Sequence, residues 1–312
     1  MKNHLIISKK IFFGSLAVVS IFIASTVNAF LNNEKKVAFT PSSEPKDSVY
    51  AINIHPPIFP KSASFAGEIV PLNQPDIRER FDRELTINAY LQASAILNLK
   101  QTTRWFPQIE NTLSSYGLPD DFKYLCMAES ALQPVASRVG AAGFWQFMDE
   151  TGRKYGLEIN DEVDERYNVE KSTEAACAYL SKIKNMLGSW TLAAAAYNCG
   201  EGGTQRFMAQ QHQNNYYDLL LPEETMRYVF RILAIKEIYT HPLRYGFNLN
   251  ESDFYPPYSF KNVEVNSTIE DLAQFAIDNG TNYKMLKMLN PWLRKPYLKN
   301  LKHKSYTIKL PA

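Results

Sequence analysis

The chain has 312 residues, 45% hydrophobic and 21% charged. These values lie near globular averages and exclude wholesale disorder, collagen-like repeats and coiled coils; at ~100–200 residues per domain they leave room for about two domains. Lysine and arginine total 34 against 32 aspartate and glutamate, a net of +2. So balanced a chain lacks the basic footprint of nucleic-acid binding, and no nucleic-acid partner is expected.

Residues 1–10 supply a short basic start, 11–24 a mostly apolar run without charge, and Val27-Asn28-Ala29 an A-x-A-like ending. That order predicts a signal peptide over 1–29 and export to the periplasm or cell envelope. The alternative is a leader left uncleaved, which would associate the chain with the membrane. Against it, the apolar run falls short of the ~20 residues a spanning helix needs. Cleavage would remove Lys2, Lys9 and Lys10, leaving 31 basic against 32 acidic residues, a net of −1. Residues 30–75 carry Pro41, Pro45, Pro56, Pro57, Pro60, Pro71 and Pro75. They are expected to form an extended linker that buries little.

From 76 to 240 helical periods run between glycine and proline punctuation. Trp105, Phe106, Ile109 and Leu113 mark one helix, stopped at Tyr116-Gly117. Leu118-Pro119-Asp120-Asp121 then opens the next, with Pro in a first-turn position and acids at the positive dipole end. Phe122, Leu125, Cys126 and Glu129 share one face at i, i+3, i+4 and i+7, and Pro134 is expected to end that helix. Lys171-Ser172-Thr173-Glu174 leads a helix over 175–187 closed by Gly188; an alanine-rich helix follows over 190–197, and the last strong period spans 225–239. Strand alternation is missing, so the block reads as all-α. Residues 241–260 form a second proline- and aromatic-rich linker, and 261–312 a separate small unit.

Cys126, Cys177 and Cys199 are odd in number and cannot close a disulfide framework; their apolar surroundings suit small buried side chains. The five histidines show no metal-ligand spacing, so neither metal nor cofactor is expected.

Glu129 is the anomaly. A carboxylate that continues an apolar stripe is desolvated, and its place near a helix C-terminus also disfavours the anion. Both raise its pKa toward that of a glycosidic general acid. The alternative is a core-edge Glu hydrogen-bonded to a neighbouring helix. Gly140-Ala141-Ala142-Gly143-Phe144-Trp145-Gln146-Phe147-Met148 sets an amide among aromatics. Gln146 could bond sugar hydroxyls or acetamido groups while Phe144, Trp145 or Phe147 stacks on a sugar ring; an ordinary aromatic core is the alternative. Tyr197-Asn198 ends the alanine helix and releases a hydroxyl and an amide there.

Glu129-Ser130, Gly143-Phe144-Trp145-Gln146 and Ala196-Tyr197-Asn198-Cys199-Gly200, in that order and spacing, resemble the transglycosylase SLT family. Asp164-Glu165-Arg166-Tyr167, and Pro222-Glu223-Glu224-Thr225 with Tyr228, resemble its membrane-bound lytic murein transglycosylase branch. The resemblance implies a lysozyme-like all-helical catalytic domain over 76–240, acting on peptidoglycan glycan strands. Glu129 would be the single catalytic acid/base. Ser130, Gln146, Tyr197 and Asn198 would hold the sugar and its acetamido group, with Phe147, Met148 and Tyr228 as further substrate-binding residues. The implied reaction cleaves the β-1,4 bond between N-acetylmuramic acid and N-acetylglucosamine and closes a 1,6-anhydro ring.

Residues 261–312 read strand, helix, helix, strand, with Ser267-Thr268-Ile269-Glu270 as the capping box of the first helix. This βααβ order resembles a degenerate lysin-motif module, in which Asn266-Ser267-Thr268 replaces the usual Gly-Asp-Thr opening; it implies binding to N-acetylglucosamine-containing glycan. Two alternatives stay open. A muramidase would need a second carboxylate, for which Asp149, Glu150 and Glu201 are at hand. A non-catalytic wall-binding protein would need none.

Overall fold

The computed structural model describes residues 55–312, so the expected signal peptide and the first part of the proline-rich linker lie outside the described residues. A hairpin of β1 (Ser64–Phe65) and β2 (Glu68–Ile69) comes first. Helices α1 (Pro75–Tyr90), α2 (Gln92–Ser115), α3 (Phe122–Ser130), α4 (Asp149–Lys154), α5 (Val169–Leu187), α6 (Trp190–Cys199), α7 (Glu201–Gln211) and α8 (Glu223–Thr240) follow. The C-terminal module comprises β3 (Phe260–Val265), α9 (Leu272–Asp278), α10 (Tyr283–Leu289) and β4 (Tyr306–Pro311). The architecture is mainly α with a small βααβ module, as expected.

Two helices organise the core. In α6, Leu192 and Ala193 through Ala196 are all 0% exposed. Methyl side chains let α5, α7 and α8 approach this helix closely. Helix α8 buries Val229, Phe230, Ile232, Leu233 and Ile238 and packs against α1, α3 and α6. It therefore touches both helix ends that carry candidate site residues.

Several boundaries differ from expectation. Helix α3 stops before Pro134, because Ala131 and Leu132 both turn left-handed (φ 54° and 57°) directly after Ser130. Helix α5 starts earlier, at Val169, where the Asn168 side chain accepts from Lys171 N. The first helix of the module is capped by Asp271, which accepts from Ala273 N and Gln274 N, so Ser267 does not open it.

The two linkers are also corrected. Residues 63–70 fold onto the helices: Phe65 is 0% exposed against Phe122, and the Glu68 carboxylate accepts from Trp190 N, Thr191 N and Thr191 Oγ1 at 2.6, 2.8 and 2.6 Å. Glu68 thereby satisfies the orphan donors at the start of α6 from outside that helix. Residues 241–260 are strapped to α2. Tyr255 N donates to Lys100 O at 2.8 Å, and the Arg104 guanidinium lies 4.2 Å from the Tyr258 ring centroid.

Nor is the module a separate unit. Its core of Leu272, Leu286, Trp292, Leu293, Ile308 and Leu310 is continuous with Ala142, Val163 and Tyr167 of the helical block. Arg294 N and Lys299 N both donate to Glu162, at 2.7 and 2.6 Å, and Lys304 pairs with Glu158 at 2.9 Å. Sequence patterning cannot show this, because each apolar contact is locally just another buried residue.

Among the described residues no helix is long and apolar enough to cross a membrane. The three cysteines are unpaired thiols, Cys126 and Cys177 buried and Cys199 half-buried.

Candidate active site

Glu129 occupies the last turn of α3. Phe122, Leu125 and Cys126 of its stripe are 0% exposed, whereas Glu129 itself is half-buried at the rim. The left-handed pair that follows ends the helix at once and leaves the carboxyl at a terminus. Two consecutive non-glycine residues in this region cost ~1–3 kcal/mol each, and such strain persists where surrounding structure enforces it.

From α8, the Tyr228 hydroxyl donates to Glu129 Oε1; Tyr228 is 2% exposed. Burial pushes the Glu129 carboxyl from 4.5 up to about 7, against the opposing pull of the Tyr228 hydroxyl and the Arg231 cation, while Glu224 pushes it further up. Burial also holds the Tyr228 and Tyr197 hydroxyls well above the ordinary tyrosine range, so both remain protonated donors at neutral pH. The Tyr197 hydroxyl donates to Trp145 O at 2.7 Å and ties the end of α6 to the loop before α4.

That loop is built around Arg166. The guanidinium donates to Asp164 Oδ1 and Oδ2 at 2.9 and 2.7 Å and, through Nη1, to Gly140 O at 2.9 Å and Phe147 O at 3.2 Å. Gly143 (φ 80°) lies so close that a Cβ there would stand 1.7 Å from Arg166 O. Glycine is required by contact as well as by conformation. Within this clamp Gln146 adopts φ 50°, and its Nε2 donates to Val135 O and Gly143 O at 3.1 and 2.8 Å. With both amide hydrogens turned back on the loop, Gln146 can offer a ligand its oxygen, as an acceptor.

The expected stacking aromatics are not platforms. Phe144, Trp145 and Phe147 are 1%, 0% and 3% exposed. Trp145 Nε1 donates to Thr173 Oγ1 at 2.8 Å, and Phe147 packs against Tyr179 and Tyr197. Phe147 is thus a core residue that supports the site and does not contact a sugar face. Met148, 46% exposed, is accessible. Ser130, 7% exposed, donates to Cys126 O at 3.3 Å along its own helix. Asn198 is half-buried and its Oδ1 accepts from Thr225 Oγ1 of α8 at 2.8 Å.

The structure joins Glu129 with Tyr228 by a hydrogen bond, and the Glu129 charge acts on the Tyr197 hydroxyl. Sequence patterning missed the functions of Arg166, Asp164 and Thr225, because a clamp between distant segments leaves no periodic trace. Of the other acids near the motifs, Asp149 pairs with Arg153 at 2.5 Å, Glu201 pairs with Lys182 and Lys154 at 2.8 and 3.3 Å, and Glu150 is exposed. The Arg153 bond holds Asp149, and the Lys182 bond Glu201, below the usual carboxylate range. Among the described residues no cluster of His, Cys, Asp and Glu is arranged to hold a metal ion.

Residues 107–220 match the family model described as the transglycosylase SLT domain, and residues 261–312 that of the soluble lytic transglycosylase C-terminal LysM-like domain. The chain is similar to membrane-bound lytic murein transglycosylase D of Escherichia coli, strains K12 and O6:H1. Identity to each is 31% over 236 residues, covering 73% of this chain and 51% of the relative. It spans about half the length of the curated relatives it matches. Partial likeness extends to the 70 kDa soluble lytic transglycosylase of Escherichia coli (20% identity, 51% of this chain and 28% of that one, TM-score 0.40). It extends also to an inactive mutant of lytic transglycosylase Slt from Pseudomonas aeruginosa (22% identity, 60% and 36%, TM-score 0.38). Overlaps this limited carry no argument about geometry. With both domain models matched in order, the chain carries a transglycosylase SLT domain over 107–220 followed by a LysM-like domain over 261–312.

Proposed function

We propose that this protein is a peptidoglycan lytic transglycosylase of the cell envelope, acting in cell-wall turnover. Its substrate is the β-1,4 bond between N-acetylmuramic acid and N-acetylglucosamine. The observation that carries the reading is a single half-buried carboxyl, held near pH 7 by burial and bonded to a buried tyrosine hydroxyl. At neutral pH such a group is available both as acid and as base. Protonated Glu129 gives its proton to the glycosidic oxygen as the bond from muramoyl C1 to that oxygen breaks. The resulting carboxylate then takes the proton of the muramoyl 6-hydroxyl, whose oxygen bonds to C1 and closes the 1,6-anhydro ring. Tyr228 donates to the carboxylate formed between these steps. In this reading Gln146 Oε1, Asn198, Met148 and Ser130 orient the sugar.

The one-carboxylate reading is favoured over a muramidase because Asp149 is held by Arg153 and Glu201 by Lys182 and Lys154. In this reading the catalytic block is 76–240, supported by the hairpin at 63–70, and the module over 261–312 binds glycan. The deciding experiment is mass spectrometry of sacculi digested by purified residues 30–312, with Glu129→Gln as control. Anhydromuropeptides from the wild type alone are expected. Products ending only in reducing muramic acid would establish a hydrolase, and wall binding without turnover a scaffold.

A further inference from the structure

Beside Glu129 runs a chain of alternating charges that the proposed reaction does not use. Glu84, on α1, is 1% exposed. Its Oε1 accepts from Arg227 Nε at 2.6 Å and its Oε2 lies 3.8 Å from Arg231 Nε. Arg231 Nη2 in turn donates to Glu224 Oε1 at 3.0 Å. Arg231 stands one turn beyond Tyr228 on α8, and residues at i and i+3 are neighbours on a helix surface. The cation is thus paired with Glu84 and Glu224, and its charge also acts on Glu129. A buried carboxylate of this kind loses hydration that an apolar side chain would not, so a role beyond packing α1 on α8 is needed to account for it.

We propose that Glu84 is a positioning residue for catalysis. By drawing Arg231 toward itself and Glu224, it keeps that positive charge from stripping the proton off Glu129. The inference rests on the reading of Glu129 as general acid. The groups facing Glu129 are Tyr228, Arg231 and Glu224 from α8, Tyr197 from α6, and Cys126 from its own helix. Burial keeps the two hydroxyls and the thiol neutral. Arg231 and Glu224 are then the charges acting on the carboxyl, and Glu84 is the buried group that sets the balance between them.

The test is a carbon-13 NMR titration of residues 30–312, with the Glu129 carboxyl signal assigned by its loss in Glu129→Gln. Glu84→Gln should lower the Glu129 midpoint by roughly half to one pH unit, through the Arg231 charge that it releases toward the carboxyl. Glu84→Asp, which keeps the charge but draws it back from Arg231, keeps the proposal testable where Glu84→Gln fails to fold and should also lower the midpoint; Glu224→Gln, with its side chain 57% exposed, should lower it through the loss of its own charge. Arg231→Gln should raise the midpoint, and in that background Glu84→Gln should have no further effect. The basic limb of the kcat/KM profile on glycan strands should follow each midpoint. An unchanged midpoint in Glu84→Gln, or an equal shift with and without Arg231, would overturn the proposal. Midpoints that shift while the pH profile of turnover stays fixed would overturn the role given to Glu129 and leave the charge coupling intact.

Discussion

Glu129→Gln should separate the catalytic value of this carboxyl from its effect on stability. The amide keeps the size of the acid and can still accept from the Tyr228 hydroxyl, so packing around it is preserved. Burial raises the carboxyl from 4.5 to about 7. The folded state therefore holds the proton more tightly than the unfolded chain does. The stability this contributes is fully present below pH ~4.5 and is lost as pH rises through about 7. At ~1.36 kcal/mol per pH unit, the wild type should lose ~3 kcal/mol across this window relative to the variant, which has no proton to release there. For a domain of this size that corresponds to a relative Tm change of roughly 6–12 °C. Thermal and urea unfolding of both proteins at pH 4.5, 6, 7 and 8 would measure it. The expected result is a variant that gains stability over the wild type as pH rises while lytic turnover falls ~10²–10⁴-fold. Stability curves that run parallel across the window would refute the desolvated carboxyl, and near wild-type turnover would refute its role in proton transfer.

Three further outcomes follow from other contacts. Tyr228→Phe removes a hydrogen bond to a charged acceptor, worth ~1.5–3 kcal/mol, and should move the basic limb of the pH–rate profile up by about one to two units; a fixed limb would contradict the contact. Gly143→Ala forces a Cβ to within 1.7 Å of Arg166 O. It should destabilise by roughly 3 kcal/mol or more, and denaturant unfolding within 1 kcal/mol of wild type would show the loop is not clamped as described. Glu68→Ala leaves three donors at the start of α6 without their acceptor. A loss of ~2–3 kcal/mol is expected, partly recovered by Glu68→Gln, and urea midpoints would show whether the hairpin truly caps that helix.

Most of the helical block was legible in the sequence because helix formation is local. The stripe from Phe122 to Glu129 and the long period of α8 recur at helical spacing, which marks the buried face, while the unbroken alanine run of α6 marks a helix packed on all sides. Glu129 could be singled out on the same ground, as a carboxylate where an apolar residue was due. The βααβ order of the module was legible from its turn and cap residues. Its first cap was misplaced because Ser267, Asp271 and their neighbours are all competent N-caps, and only the packing of Leu272 and Ala276 selects Asp271.

Everything that depends on segments meeting across the chain was decided by tertiary structure. A proline-rich stretch reads as a linker, yet Phe65 enters the core and Glu68 caps α6, because burial and long-range capping leave no pattern in the residues that supply them. An aromatic beside a glutamine reads as a sugar platform, yet Phe147 is inside, since ring exposure is fixed by what packs above it. The sequence by itself determined most of the helices and singled out Glu129 as the candidate acid. The tertiary structure decided its chemistry: burial sets the proton affinity of Glu129, and Tyr228, Arg231 and Glu84, distant in the chain, bring the hydrogen bond and the charges that tune it.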